Sequence, residues 1–312
     1  MTLALVFPGH GSHMTGMLDL ISSRPEVKET LQEASDALGM DMGKLISSGS
    51  KEEISSLPTS APAMVTAGVS YYRTWLAEGG QLPSIVAGHS HGEYSALVAA
   101  GVISFKDALS IVRYRAESMV SALPAGIGGM AAIIGLGASK VIDICSDISS
   151  KTGKIVEAVN FNAPGQVLIS GHKEAVAEAC KEFELANAKL VIPLAIKVPA
   201  HSSLLSSVSD KLREYFKTVE FRAPLIPVVN NVDAVILDRP DDIKDAMARQ
   251  VSKPVRWQEV IKVMSAKGIE QVVECGPGTV LQELVSRIDN KLQGITFIDE
   301  HGNVKVIKGT KC

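Results

Sequence analysis

The chain has 312 residues, of which 46% are hydrophobic and 21% are charged, and its formal net charge is −3. This composition is typical of a folded protein with a large core, and the small negative charge gives no reason to expect nucleic acid or an anionic membrane as a partner. No apolar run approaches the length of a membrane span, and the four cysteines lack C-x-x-C spacing, so we expect free thiols and a cytoplasmic protein.

The first predicted element is a buried strand over Leu3–Phe7, a continuous apolar run. It ends in a glycine-containing turn, Pro8-Gly9-His10-Gly11-Ser12-His13. No Lys-Ser/Thr pair follows, which excludes a P-loop. Two interpretations remain for this turn: it offers a backbone N–H to an oxyanion, or it only connects a strand to a helix. The stretch alone does not decide between them.

A second stretch has the pattern of a nucleophile elbow. Ile85–Ala87 predicts a strand, Gly88-His89-Ser90-His91-Gly92 a sharp turn, and Glu93–Ala100 a helix. Such a turn exposes its serine at a helix N-terminus, where the helix dipole and free backbone N–H groups stabilise a developing oxyanion. A chance match is the alternative in a chain rich in glycine and serine, but the flanking strand and helix favour a nucleophile at Ser90.

The next predicted helix, Phe105–Leu123, carries Arg113 and Arg115. An arginine on a helix usually faces solvent, and the periodicity gives no reason to prefer either residue for a site.

From Gly126 the pattern changes to β-α-β-β-α-β, the order of a ferredoxin-like unit. Its predicted strands and helices are Met130–Leu136, Ser139–Ser150, Ile155–Phe161, Gln166–Gly171, Lys173–Ala186 and Leu190–Val198. We therefore predict an α/β protein in two parts: a large domain with a parallel sheet from residues 1–125 and 199–312, and a small inserted domain from residues 126–198. The last predicted feature is a terminal β-hairpin over about 295–307.

A candidate general base follows the inserted unit, in the sequence Val198-Pro199-Ala200-His201. A serine nucleophile needs a base, and histidine serves near neutral pH. His172 and His301 lie in predicted turns outside any motif.

A metal site is a competing interpretation, because several histidines can converge. They are His10, His13, His89, His91 and His201. No H-E-x-x-H or Cys/His ligand spacing supports it, so we expect no metal.

In combination, these motifs resemble those of the malonyl-CoA:acyl carrier protein transacylases, from the first strand to about Arg287. The segments that carry the resemblance are 7–13 (FPGHGSH), 88–96 (GHSHGEYSA), 129–135 (GMAAIIG), 159–166 (VNFNAPGQ), 198–201 (VPAH), 228–232 (VVNNV), 249–250 (RQ), 254–257 (PVRW) and 274–278 (ECGPG).

The resemblance implies a large domain similar to an α/β-hydrolase, with a ferredoxin-like insertion. It implies an [acyl-carrier-protein] S-malonyltransferase of fatty acid or polyketide synthesis, which moves malonyl from CoA to the phosphopantetheine thiol of an acyl carrier protein. The expected mechanism is a ping-pong exchange through an acyl-serine. No cofactor is expected, since acyl-CoA is a substrate.

The resemblance also implies the roles of particular residues. Ser90 is the expected nucleophile, His201 the general base, and Arg115 the ligand of the substrate carboxylate. The backbone N–H groups of His10 and His91 are the expected oxyanion hole. Two further groups are implied: Gln250, Asn160 and Gln166 as supporting residues, and Ala200 and Met130 in the acyl pocket.

The chain departs from the family pattern around this pocket. Histidines occupy positions 10 and 13, where the family usually has glutamine, and His91 replaces a leucine or valine. Ala200 stands where serine or phenylalanine is usual. These changes leave open an acyltransferase for a non-malonyl group.

Two other functions compete with acyl transfer. A thioester hydrolase would use the same Ser-His chemistry, whereas a lipase-like enzyme is disfavoured because no Asp or Glu motif stands out between Ser90 and His201. A catalytically silent subunit would be favoured by loss of Ser90, His201 or Arg115, and all three are present.

Overall fold

Two β-sheets organise the chain in the computed structural model, which describes residues 2–196, 198–299, 301 and 303–308. The strands, numbered in chain order, are β1 (Leu3–Phe7), β2 (Ile85–Gly88), β3 (Gly128–Ile134), β4 (Val156–Ala163), β5 (Gln166–His172), β6 (Leu190–Pro193), β7 (Val228–Val229), β8 (Ile236–Leu237), β9 (Gln271–Glu274) and β10 (Gln293–Thr296).

The α-helices pack around these sheets. They are α1 (Pro25–Leu38), α2 (Met42–Ser48), α3 (Lys51–Ser55), α4 (Leu57–Ala77), α5 (Gly92–Ala99), α6 (Phe105–Ser121), α7 (Ala138–Thr152), α8 (Lys173–Leu185), α9 (Ser206–Phe216), α10 (Pro240–Gln250), α11 (Trp257–Ala266) and α12 (Val280–Ile288). Within the described residues, none of these helices is long and apolar enough to cross a membrane.

The larger sheet has the strand order β10-β9-β1-β2-β7-β8. Its first five strands in this order run parallel, and only the edge pair β7–β8 is antiparallel. Strands β1 and β2 are buried along their whole length, as expected for central strands covered on both faces. The predicted α/β class with a parallel central sheet is confirmed.

The register of this sheet brings separate turns together. Phe7 at the end of β1 pairs with Gly88 at the end of β2, and Val86 of β2 pairs with Val228 of β7. Because the carboxyl ends of parallel strands meet at one edge, the turns that follow all three strands lie side by side. The glycine-containing turn, the elbow and Asn231 therefore share that edge.

The smaller sheet is antiparallel, with the order β4-β5-β3-β6. Helices α7 and α8 pack on one face around a separate core that includes Val141, Ile169 and Phe183. This is the predicted ferredoxin-like unit. It is tied to the large unit along β4, where the Phe161 N–H donates to the Val255 carbonyl at 2.9 Å and the Val255 N–H to Val159 at 2.8 Å. The boundaries at residues 126 and 198 stay a prediction.

The last strand of the small unit is shorter than the predicted 190–198. Strand β6 ends at Pro193, which lacks an N–H, and its pairing with β3 ends at Ala131. Beyond it, Ala195 and Ile196 line a cavity, and Lys197 lies outside the described residues.

The predicted terminal hairpin at 295–307 is shorter in the structure, and the start of its first strand joins the large sheet. Ile295 belongs to β10, which extends the large sheet in parallel beside β9. Antiparallel pairing follows at Ile298 with Val304, and two backbone hydrogen bonds flank it: the Lys305 N–H donates to the Phe297 carbonyl at 2.6 Å, and the Asp299 N–H donates to the Asn303 carbonyl at 3.0 Å. Residues 300 and 302 lie outside the described part of the chain. The physical reason is burial: the Phe297 ring lies edge-on to the rings of Tyr71 and Trp75 on α4, which holds this segment against the core.

Candidate active site

The elbow forces Ser90 into a left-handed backbone conformation, with φ at 53°. This conformation is costly for a residue with a Cβ and is tolerated where the surrounding structure imposes it. Helix α5 begins directly after the turn, and a Cβ on Gly92 would lie 2.3 Å from the Phe7 carbonyl oxygen of β1. Glycine at position 92 therefore allows the helix to approach the strand closely enough to present Ser90 at its N-terminus.

Asn231, in the turn that follows the neighbouring strand β7, holds the elbow in place. Its Oδ1 accepts from the Ser90 backbone N–H at 2.7 Å, and its Nδ2 donates to the Gly88 carbonyl at 2.6 Å. The sequence motifs do not predict this role. The available signal was the Asn230-Asn231 pair directly after a predicted buried strand.

Ser90 and His201 meet inside this frame. Ser90 Oγ lies 2.8 Å from His201 Nε2, and His201 Nδ1 lies 2.8 Å from the backbone carbonyl oxygen of Gln250. A carbonyl only accepts, so Nδ1 is the donor there, and neutral His201 presents Nε2 as an acceptor for the serine hydroxyl. The backbone carbonyl takes the position of the acidic member of a catalytic triad.

Burial keeps His201 neutral. Removal from water, followed by the charge of Arg115, lowers the pKa of His201 to about 3. The imidazole is thus unprotonated and able to accept a proton over the whole physiological pH range.

The Gln250 side chain connects several groups of the site. Its Nε2 donates to the Ser90 carbonyl at 2.9 Å and to Glu93 Oε2 at 2.6 Å. Its Oε1 accepts from Arg115 Nη2 at 3.3 Å. A fully buried amide with this many partners fixes the positions of the groups that it touches.

Arg115 is only 1% exposed, although it lies on a helix whose other arginine is at the surface. Burial lowers the pKa of Arg115, and its Nε has no hydrogen-bond partner among the residues that the structure describes. A buried guanidinium with an unused donor is prepared to receive an anion such as a carboxylate. Arg113, by contrast, pairs with Glu117 and the Leu38 carbonyl, so its role is structural.

The predicted oxyanion donors, the backbone N–H groups of His10 and His91, flank Ser90. Gly9 packs so tightly on the elbow that a Cβ there would lie 2.3 Å from the His89 carbonyl oxygen. Neither N–H donates to another residue in the described ranges, which leaves both available to a ligand.

A cavity of about 800 Å³ opens over Ser90, and it runs between the two sheets. His10, His91 and Arg115 line it, together with the predicted Met130, Asn160 and Ala200. Within the described part of the chain, four atoms of this lining are buried without a partner: Asn160 Oδ1, His10 Nδ1, His91 Nε2 and Arg115 Nε. Unpaired buried polar atoms are costly, so their concentration here indicates a polar ligand.

The histidines of the site are uncharged near neutral pH. Burial, and then the charge of His13, lowers the pKa of His10 to about 4, and burial lowers the pKa of His91 well below its usual range. The His10 and His13 rings lie 4.2 Å apart between centroids. Across the described ranges, no group of three or more His, Cys, Asp or Glu side chains is arranged to hold a metal ion.

Gln166 lies away from the cavity, and so does His172, for which no role was expected. Gln166, expected as a supporting residue, does not line the cavity; its Oε1 accepts from Arg287 at 2.6 Å at the surface, because β5 begins there at the hairpin turn after β4. His172 accepts from the Ile155 N–H within the small unit.

Comparisons with known proteins identify the family of the chain. The family model of the acyl transferase domain matches residues 4–298. The chain is 46% identical over 290 residues to the malonyl CoA-acyl carrier protein transacylase of Escherichia coli K12, covering 93% of each protein.

Solved structures of malonyltransferases also superpose closely on this chain. An acyl-carrier-protein S-malonyltransferase from Burkholderia pseudomallei 1710b superposes with a TM-score of 0.94 at 49% identity, covering 97% of this chain and 98% of the other. A malonyl-transacylase in complex with a type II PKS acyl-carrier protein superposes with a TM-score of 0.94 at 43% identity, covering 97% of each chain. The chain belongs to the acyl transferase domain family.

Proposed function

We propose that this protein transfers a malonyl group from CoA to the phosphopantetheine thiol of an acyl carrier protein. One observation carries the proposal: Ser90 Oγ, 2.8 Å from His201 Nε2, opens into the same cavity as the buried, partly unpaired Arg115. The substrate and the partner are inferred from relatives named as malonyl transacylases, one of which was solved in complex with an acyl-carrier protein.

In the first half-reaction, Ser90 attacks the thioester carbonyl of malonyl-CoA. The hydroxyl proton moves to His201 Nε2 as the bond from Oγ to carbon forms. The carbonyl oxygen becomes an oxyanion within reach of the His10 and His91 backbone N–H groups. The bond from carbon to sulfur then breaks, the CoA sulfur takes the proton back from His201, and malonyl-Ser90 remains.

The second half-reaction repeats these steps in reverse with the carrier's thiol as the nucleophile. Arg115 pairs with the free carboxylate of the malonyl group in both halves, through its unpaired Nε and a terminal nitrogen. A carboxylate therefore orients the acyl group, and a neutral acyl group lacks this contact. No cofactor takes part in the scheme.

We place the reaction in the cytoplasm. Support comes from the cysteines: in the described part of the chain, Cys145, Cys180 and Cys275 are free thiols, as a reducing compartment permits. The predicted free thiol of Cys312 lies outside the described residues.

The test is intact-mass analysis after mixing the protein with malonyl-CoA, followed by peptide mapping. We expect one malonyl adduct on the Ser90 peptide, and its loss when a holo acyl carrier protein is added. Ser90→Ala should form no adduct, whereas Ser95→Ala, a change on helix α5 directly after the elbow, should still form one. An adduct that decays to water at the same rate with and without carrier would instead indicate a hydrolase.

A further inference from the structure

A buried carboxyl group, Glu93, stands behind the site and has no part in the reaction as described. It lies in the first turn of α5 and is 2% exposed. Its Oε2 accepts from Gln250 Nε2 at 2.6 Å and from the Asn231 backbone N–H at 3.4 Å. An ionised carboxylate is costly at such a position unless a cation compensates it.

The compensating cation is Arg115, and the side-chain amide of Gln250 connects it to Glu93. Gln250 accepts from Arg115 Nη2 on its oxygen side and donates to Glu93 on its nitrogen side. In the described ranges no carboxylate lies at salt-bridge distance from Arg115, and Glu93 is the carboxyl group whose charge acts on its guanidinium. Charges separated by one side chain interact strongly in a dry interior.

We propose that Glu93 competes with the carboxylate of the substrate for the charge of Arg115. Ionised Glu93 neutralises Arg115 through Gln250 and weakens its hold on a carboxyacyl group, whereas protonated Glu93 leaves the full positive charge for the substrate. Selection of malonyl over neutral acyl groups is then strong at low pH and weak at high pH. This inference rests on the proposed function, because it needs Arg115 to bind the acyl carboxylate.

The titration of Glu93 falls in a usable range. Burial, opposed by hydrogen bonds from Gln250 and Asn231, raises its pKa to about 8. The group is therefore mainly protonated at pH 7 and mainly ionised at pH 9.

The neighbouring groups keep their charge over this interval. Burial raises the pKa of Tyr94 and lowers the pKa of both His201 and His89, so all three stay uncharged. Asp233 is held ionised, since the hydrogen bond from Arg249 lowers its pKa. Of the charged groups that act on Glu93, Arg115 stays positive and Asp233 negative, which leaves Glu93 as the variable charge.

The experiment measures acylation of Ser90 by malonyl-CoA and by acetyl-CoA from pH 7 to pH 9, at low acyl-CoA concentration. Rapid quenching and intact mass give the two rate constants, and their ratio cancels the shared pH dependence of the Ser-His chemistry. In the wild type we expect the ratio of the malonyl to the acetyl rate constant to fall about tenfold from pH 7 to pH 9. This is the change in the protonated fraction of one group with a pKa near 8, and only the protonated form leaves Arg115 free for the substrate. In Glu93→Gln the ratio should stay constant with pH.

Glu274→Gln is the matched control. Glu274 is also buried, and burial raises its pKa to about 7, but it lies on β9 and accepts from the Gln282 N–H. This variant should keep the tenfold fall. A wild-type ratio that is flat with pH, or an equal fall in Glu93→Gln, would overturn the inference while the function stands. Absence of any malonyl adduct on Ser90 would overturn both.

A measurement on the unmodified protein covers the case in which Glu93→Gln does not fold. A pH indicator in weakly buffered solution at pH 8 measures the protons released or taken up during acylation. Both malonyl-CoA and acetyl-CoA release the same CoA thiol, so their contribution from the thiol is equal. We expect malonyl-CoA to cause an additional uptake of about half a proton per site, as Glu93 becomes protonated. Equal proton changes for the two substrates would contradict the competition.

Discussion

Among single residues, His201 is expected to contribute most to the rate after Ser90. His201→Ala removes the group that accepts the Ser90 proton, and we expect acylation to slow by about 10²–10⁴-fold. Stopped-flow or quenched-flow acylation with malonyl-CoA measures the loss. His172→Ala is the control, since His172 accepts from the Ile155 N–H in the small unit. Comparable damage from the two changes would refute the assignment of the base.

Arg115 and Arg113 form a natural pair of test positions on one helix. Arg115→Ala leaves the substrate carboxylate buried without a partner, which costs about 3–5 kcal/mol in malonyl transfer, with acetyl transfer less affected. Arg113→Ala breaks surface contacts and should leave the malonyl-to-acetyl preference unchanged. The measurement is the transfer rate with malonyl-CoA and with acetyl-CoA in each variant. If Arg115→Ala lowered both rates equally, the role of Arg115 would be structural.

His91 is the departure from the family pattern that bears most directly on the acyl group. The residue is 2% exposed, it lines the cavity, and its Nε2 has no partner in the described ranges. A neutral imidazole there offers a hydrogen bond to a polar acyl group, which leucine does not. We expect His91→Leu to remain active on malonyl-CoA but to change the ranking of malonyl, methylmalonyl and larger acyl groups. Mixed acyl-CoA competition read by mass measures the ranking; an unchanged order would mean that the imidazole does not touch the acyl group.

At the scale of elements, the site depends on how closely α5 packs on β1. In Gly92→Ala the new methyl would overlap the Phe7 carbonyl oxygen, and we expect a loss of about 2–3 kcal/mol in the free energy of unfolding, larger than the helix-propensity gain of about 1 kcal/mol. Gly43→Ala, in helix α2, meets only ordinary contacts and should stabilise the protein slightly. Urea denaturation compares the two. A Gly92→Ala protein of normal stability would show that the close approach is not required.

At the scale of the whole molecule, the two units enclose the cavity, and the carrier must reach it from outside. We expect an acidic carrier to dock on lysine and arginine side chains around the groove between the units. Arg287 is one candidate, since it is exposed on α12 and touches Gln166 of the small unit. Transfer to carrier should weaken as salt rises, whereas acylation by malonyl-CoA should not.

Separate assays of the two half-reactions from low to high ionic strength test this docking mode. Arg287→Glu should lower the rate of transfer to carrier and leave acylation by malonyl-CoA intact. Transfer that does not respond to salt would argue against electrostatic docking.

Much of this molecule is determined by local sequence. The apolar runs at β1 and β2, the G-x-S-x-G turn and the βαββαβ order follow from patterns over a few residues, and the parallel sheet, the elbow and the ferredoxin-like unit are present as predicted. Short-range periodicity and turn chemistry are sufficient there, because each pattern has few alternative structures.

Tertiary structure alone decided which polar groups share the site. Arg113 and Arg115 lie on different sides of α6, and the packing of the helix buries one and leaves the other at the surface. The hydrogen bonds of Asn231 with Glu93 and with Gly88 of the elbow span 138 and 143 residues of sequence. Such contacts arise because parallel strands bring distant turns to one edge of the sheet, an arrangement that no local pattern encodes.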